Sequence, residues 1–344
     1  MLESPPVACE AFVFMLTLIV PGLLAQGTAA FATTPALAEF ARYAAPPLPA
    51  SDLWQGVAAA LMLPAETPVA PLAALGAGVD VRDEYVLHAT PVTLIAGHVD
   101  VRLECRVVDL DDHEAAALIA LLNRHCEADG LDFIAPRPAS WFVRCSRTPA
   151  LATSSLDTVA GRAILPFLPT GADGRIWRRW QNEIQMLLFE HAVNQARDAR
   201  GRAPVSGVWF WGGGKLADVP RVEARSFADD SEAGDVARGF ARHTGQRADA
   251  LPASFSATLA DMQVNRHTLA ALAPIADETA LARFATGWLQ PAIGALATGR
   301  IDTLQLVADG HGAALWRALR PSRWTRIMSR WQNRAFVAPE RIEG

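Results

Sequence analysis

Several stretches of this chain put chemically capable side chains close together. Asp309-Gly310-His311 sets a carboxylate and an imidazole two residues apart. Asp and His at a strand end suit a divalent ion of the kind used in phosphoryl transfer; a single Asp-x-His pair equally suits a surface turn. Gly212-Gly213-Gly214-Lys215 follows a short apolar run. Glycines let backbone N–H groups approach a phosphate and the lysine adds charge, but GxxxxGK[ST] opening a helix is not met. The competing reading is a tight turn with close backbone packing.

Asn182, Glu183 and Gln185 lie in a dense amide and carboxylate run, Gln181 to Gln185. Such groups orient a polar ligand or tie loops to the core, and the second role is favoured because buried polar groups must be hydrogen-bonded. His191 on an apolar stripe reads more readily as a satisfied core residue than as a base. Near the C-terminus, Trp324, Ile327, Met328 and Trp331 fall on one helical face, and Arg323, Arg326, Arg330 and Arg334 on the other. That is a docked amphipathic helix with a solvated arginine face, or a contact for an anion, nucleic acid or membrane surface. Cys105, Cys126, Cys145 and His125 fit no common zinc-finger spacing, so core thiols are the better reading.

The elements that must hold these residues follow from apolar period and breakers. Phe12 to Val20, ended by Pro21-Gly22, reads as a buried first strand, and Asp52 caps a helix to Leu63 that Pro64 stops. Tyr85–Ile95 and Val99–Val108 read as strands around Gly97-His98; Asp111 or Asp112 caps a helix to Glu127, and strands at Leu131–Ile134 and Trp141–Cys145 follow. Arg175 to Arg200 fits one long helix stopped by Gly201, with Trp177, Trp180, Ile184, Leu187, Leu188 and His191 inward. Val205–Trp211 is a buried strand, helices are expected over 231–244, 255–272 and 277–297, and Thr303–Ala308 is a strand. The alternation predicts an α/β fold, with residues 12–84 and 160–335 as a core and 85–150 as a smaller β-β-α-β-β subdomain.

With 344 residues, 51% hydrophobic and 19% charged, the chain is long enough for a large core and too apolar for wholesale disorder. A net charge of −5 gives no global basic field, and Lys215 is the only lysine beside many arginines. The four cysteines form no CxxC pair, which suits reduced thiols and a cytoplasmic protein. Phe12 to Ala25 is apolar, but Glu3 and Glu10 precede it without a basic residue, and Pro21-Gly22 cut it short of a membrane span.

Four blocks carry a family resemblance: Leu16–Leu24 (LTLIVPGLL), Leu121–Leu131 (LLNRHCEADGL), Leu168–Gly201 and Pro204–Gly214 (PVSGVWFWGGG). Asp229–Gly245 and the Trp/Arg tail agree more loosely. Together they resemble a proteobacterial family of RpfE-type regulatory proteins, also described as cofactor-independent phosphoglycerate mutases of the alkaline phosphatase superfamily. The resemblance implies a phosphoglycerate-mutase-like sheet with helices on both faces and a smaller α+β subdomain. It also implies two divalent metals held by Asp and His, with a serine nucleophile. Where the superfamily's first strand ends in a metal-binding Asp-Gly, this chain has Pro21-Gly22, and proline offers no ligand. Asp309 and His311 echo the late Asp-His pair.

The leading expectation is a cytoplasmic, non-catalytic or regulatory protein with no cofactor and an anionic ligand or a protein as partner. The alternatives are a metal-dependent mutase or phosphotransferase using a divalent metal, and an anion- or nucleotide-binding module built on Gly212–Lys215 and the arginine helix. The module reading makes its own prediction: replacing Arg323, Arg326 and Arg330 with Ala abolishes salt-sensitive retention on an anionic matrix. Unchanged retention would remove that reading.

Overall fold

The computed structural model describes residues 13–81, 83–97, 100–257, 266–310, 312–321 and 336. His98, His311, Arg323, Arg326, Arg330 and the expected terminal helix lie outside them.

The chain opens with β1 (Met15–Val20), helices α1 (Gly27–Ala32) and α2 (Pro35–Tyr43), and β2 (Leu48–Ala50). Next come α3 (Leu53–Ala60), capped by Asp52 accepting from the Gln55 N–H at 2.9 Å, and α4 (Ala70–Gly76). β3 (Tyr85–Ala96), β4 (Val101–Arg106), α5 (Asp112–Cys126), β5 (Leu131–Arg137) and β6 (Ser140–Cys145) follow as the sequence pattern predicts. The α5 start is a full capping box, Asp111 accepting from the Glu114 N–H and Glu114 from the Asp111 N–H. After α6 (Leu156–Val159), the expected single helix over 175–200 is two, α7 (Gly174–Glu190) and α8 (Ala192–Ala199). His191 takes an extended backbone and its Nδ1 accepts from the Val193 N–H at 3.3 Å, so this histidine caps the second helix.

β7 (Gly207–Gly214) runs through the glycines that had been expected to follow the strand as a turn. A Cβ at Gly213 would stand 2.7 Å from the Tyr85 ring and one at Gly214 2.3 Å from Pro68 Cγ, so close packing explains them. β8 (Arg225–Ala228), α9 (Glu232–His243) and β9 (Ala248–Ala250) come next. The helix expected over 255–272 is replaced at its end by β10 (His267–Ala271), a short apolar run that periodicity alone cannot assign. α10 (Glu278–Phe284) passes through a π turn into α11 (Gln290–Thr298), and β11 (Thr303–Gly310) and β12 (Gly312–Leu319) close the chain described.

Two sheets result. The larger has the order β2-β12-β11-β1-β10-β8-β9, with β11, β1, β10, β8 and β9 parallel. The smaller is antiparallel, β4-β3-β6-β5, and β7 pairs with β3 on its other side. Alternate residues of the central strands feed opposite faces: Leu16, Leu18, Leu304 and Leu306 pack one way against α2, α10 and α11. Ile19, Leu269 and Val307 face the other way, into a layer shared with Val86, Phe142, Trp209 and Trp211 of the smaller sheet. Thr17 donates to Gln305 Oε1 at 2.7 Å, satisfying polar groups between β1 and β11.

The far face of the small sheet packs on α5 and α7 through Phe133, Phe210, Trp177 and Trp180. Here Arg197, fully buried, bonds Glu114 Oε2 at 2.7 Å, the Ala203 carbonyl at 2.8 Å and Asp109. Asn194 donates to the Leu188 and Val205 carbonyls and accepts from the Val205 N–H. Removing one member of a buried ion network strands the rest, typically at about 3–5 kcal/mol. Arg197→Ala is expected to lower the unfolding free energy measured by urea denaturation by an amount in that range, while Asp198→Ala on the same helix leaves it in place.

Candidate functional site

The carboxyl ends of parallel strands open toward the small sheet, where α/β ligands commonly bind. A cleft of about 430 Å³ lies there. β1 delivers Pro21 and β11 delivers Asp309, the segment before α9 brings Asp230 and Ser231, and α6 brings Asp157. The small sheet contributes Arg106 and Arg137 from the ends of β4 and β5, and Trp54 of α3 and Trp211 of β7 line the wall.

Two ion pairs cross this boundary. Arg106 binds Glu232 and donates from Nη2 to the Ala139 carbonyl at 3.1 Å. Arg137 binds Asp235, whose side chain is fully buried and also takes Arg238 at 2.6 Å. Both carboxylates lie in the first turn of α9, capped by Ser231, where the helix dipole favours negative charge. Burial works to raise the Glu232 carboxyl, but Arg106, His88 and Arg137 prevail and hold it below the usual range.

The other carboxylates lack such compensation. Burial pushes Asp309 up to about 6, opposed by the Gly22 N–H, which donates to its Oδ1 at 2.6 Å, with Asp52 and Glu232 adding to the rise. Close surrounding by protein, then Asp309, Glu232 and Asp52, raise Asp157 above the usual range. Asp157 keeps a face open to cleft water, which screens that effect. Gly22 follows Pro21 with φ +74°, the turn conformation that glycine adopts without strain, and the Pro21 carbonyl accepts from the Ile275 N–H at 2.8 Å. Behind the cleft, His88 lies flat on Trp211 with ring centroids 4.1 Å apart; burial lowers it to about 4, so it is neutral at physiological pH.

Of the residues singled out from the sequence, Asp309 stands in this cleft. Gly212 and Gly213 line an adjoining cavity of about 420 Å³ on the other side of Trp54 and Trp211. Lys215 opens a short turn beyond β7. Asn182 is exposed on α7, Gln185 is half-buried there, and Glu183 pairs with Arg179 at 3.3 Å and His125 at 3.6 Å, all remote from the cleft lining. Sequence reasoning missed Arg106, Arg137, Asp157 and Glu232, which lie on separate elements and carry no shared motif; Ser231-Glu232 as a helix start was the one available signal. Cys126 and Cys145 are buried thiols raised to about 12, chiefly by burial, and Cys105 is exposed.

The two-metal centre that the resemblance implies needs a nearly complete shell of oxygen and nitrogen donors. Among the described residues no three His, Cys, Asp or Glu side chains are grouped to hold one ion. Pro21 has no donor side chain, Asp309 Oδ1 is engaged by Gly22 and Glu232 by Arg106. The described side chains do not fit that centre.

No family model matches the chain. Over 155 residues it is 25% identical to 2,3-bisphosphoglycerate-independent phosphoglycerate mutase 2 of Methanothermobacter thermautotrophicus. The match covers 40% of this chain and 39% of that protein, so it spans well under half the length of the relative. Among solved structures, the PH0037 protein from Pyrococcus horikoshii aligns over 90% of this chain and 88% of its own, at 14% identity and a TM-score of 0.52. The cofactor-independent phosphoglycerate mutase from Thermoplasma acidophilum aligns over 89% of this chain and 90% of its own, at 12% identity and a TM-score of 0.44. The mixed α/β fold is thus shared with the Pyrococcus protein, and the scaffold is phosphoglycerate mutase-like in the matched stretch. Among the described residues no helix is long and apolar enough to cross a membrane.

Asp157 yields a signed prediction. Its carboxyl is raised in the folded state, so its contribution to stability is present at low pH and lost as pH rises through the folded value. Asp157→Asn is expected to raise Tm, and by more at pH 8 than at pH 5, in paired thermal melts. An equal or opposite difference would show that the carboxylate is compensated.

Proposed function

We propose that this chain is a cytoplasmic, non-catalytic regulatory protein of RpfE type, whose phosphoglycerate mutase-like scaffold keeps the cleft as a ligand site. The observation that carries this reading is the end of β1. Pro21 stands where a metal-binding aspartate is implied, and the Asp309 carboxylate turns onto the Gly22 N–H. A strand end closed in this way needs no cation to hold it together. The cleft keeps what recognition requires, namely an enclosed volume, aromatic walls and charged groups from several elements. No cofactor is called for in this role.

The competing reading is a metal-dependent phosphoglycerate mutase or phosphotransferase. The sequence match to a mutase and the carboxyls of Asp157 and Asp309 in one cleft favour it. Metal analysis after growth and dialysis with excess manganese and zinc separates the two, together with an assay for interconversion of 2- and 3-phosphoglycerate. The regulatory reading expects neither retained metal nor turnover. Near-stoichiometric metal that is lost in Asp309→Ala, accompanied by turnover, would establish the enzyme instead.

A further inference from the structure

Helix α7 carries two stripes. Trp177, Trp180, Ile184 and Leu188 are buried against the small sheet. Arg175, Arg179, Asn182, Met186 and Phe189 run along the opposite side, all exposed, at spacings of four, three, four and three residues. That alternation is the seam spacing of a helix that packs on another helix. Among the described residues nothing covers it: Met186 is 65% exposed and Phe189 79%. Phe189 is the one exposed aromatic ring among the described residues. A single exposed apolar side chain needs no explanation, but two of them one turn apart on a seam mark a contact surface.

The charges along α7 select the partner. Arg175, Arg178 and Arg179 crowd its start, its first turn holds no acidic residue, and Glu190 ends it. A helix dipole favours the reverse order, acidic first and basic last. Asp173 holds the N-cap position without capping, since its carboxylate accepts from the Ala150 N–H at 2.8 Å and pairs with Arg147. Arg179 is paired with Glu183, whereas Arg175, Arg178 and Glu190 have no ion pair among the described residues. This order is unfavourable within one helix and favourable between two antiparallel copies of it, because each basic start then lies beside the other's acidic end.

We propose that α7 is a self-association surface, on which a second copy of this chain lays its own α7 antiparallel across a two-fold axis. Met186 and Phe189 of each copy cover the apolar stems and guanidinium faces of the arginines at the start of the other α7. Those arginines meet Glu190 of the other copy, and Asn182 sits near the axis as a polar pair that fixes register. A lipid surface fits less well, because Arg175, Arg179 and Asn182 lie on the same line as Phe189 instead of flanking an apolar face. An acidic helix of another protein would suit the arginines and repel Glu190. One helix face about 25 Å long buries less than the roughly 800 Å² per partner of a standard interface, so the pair forms at micromolar concentration. Because α7 stands on the far face of the small sheet, away from the cleft, the pairing is independent of what the cleft binds.

The test is sedimentation velocity of the full chain over about 1–200 µM, in low and high salt. A reversible monomer–dimer equilibrium is expected, weakened by salt. Met186→Ser with Phe189→Ser should weaken association at least tenfold. Arg175→Glu with Arg178→Glu should do the same, since both ends of the pair are then acidic, and so should Glu190→Arg, which makes both basic. Combining Arg175→Glu, Arg178→Glu and Glu190→Arg should restore association to within about threefold of the parent, because the charges are exchanged and not lost. All of these positions are exposed, and the reversal puts acidic groups where the α7 dipole favours them, so circular dichroism should show each variant folded. A chain that stays monomeric throughout overturns the proposal, as does a dimer that ignores these substitutions or a charge exchange that fails to rescue. A monomer that floats instead with vesicles of anionic lipid would replace self-association with membrane contact.

Discussion

Trp54 of α3 stacks on Trp211 of β7 with centroids 6.1 Å apart, Trp211 lies on His88 of β3, and His88 meets Phe142 of β6 at 4.9 Å. This run of rings is part of the apolar layer that both sheets share, and the cleft exists because that layer fixes how they face one another. Burying one large aromatic side chain is worth on the order of 4–6 kcal/mol before conformational entropy is counted. A partly exposed ion pair contributes about 1 kcal/mol or less. The dry layer therefore holds the sheets together, and Arg106–Glu232 and Arg137–Asp235 set orientation at its rim. The neutral state of His88 follows from the same packing, since a charged imidazole between Trp211 and Phe142 would lose more in hydration than the nearby Glu232 carboxylate returns, and Arg106 opposes it further.

The charges above the layer divide according to what compensates them. Glu232 and Asp235 sit in the first turn of α9 and take arginines from the opposite sheet. Asp157 and Asp309 arrive from α6 and β11 and face Glu232 without a direct arginine bond, Arg106 only partly offsetting the rise at Asp157. One cleft thus pushes its carboxyl groups in opposite directions, Glu232 below the usual range and the other two above it. Environments that part titratable groups in this way are a feature of sites that do something. The cost is carried by the packing beneath, which holds the strand ends in place whether or not the carboxylates are neutralised.

What the sequence disclosed was what local chemistry dictates. Asp52 could be read as a cap, and the α5 cap narrowed to Asp111 or Asp112, because capping is settled within three residues, and β3 to β6 with α5 could be read because each apolar period is long enough to identify. The break at His191 was not legible, since an imidazole at a cap and an imidazole on an apolar stripe occupy the same position in the pattern. β10 was read as helix because five residues buried on both faces lack alternation. The pairing of β7 with β3 spans more than a hundred positions and leaves no local trace, so the glycines of β7 looked like a turn. Asp309 alone was legible in the cleft, because it stood in a recognisable fragment. Arg106, Arg137, Asp157 and Glu232 become a group only when four separate elements are brought together.

Pro21-Gly22 fixes the end of β1 through its backbone rather than through side-chain chemistry. The turn after β1 needs a residue at φ +74°, which Gly22 supplies, and a carbonyl at position 21 for the Ile275 N–H, which any residue supplies. A carboxylate at position 21 would join Asp309 and Asp157 around the same opening, and charge gathered there would call for a compensating cation. Proline fixes the backbone, adds no charge, and leaves the Gly22 N–H as the group that Asp309 meets.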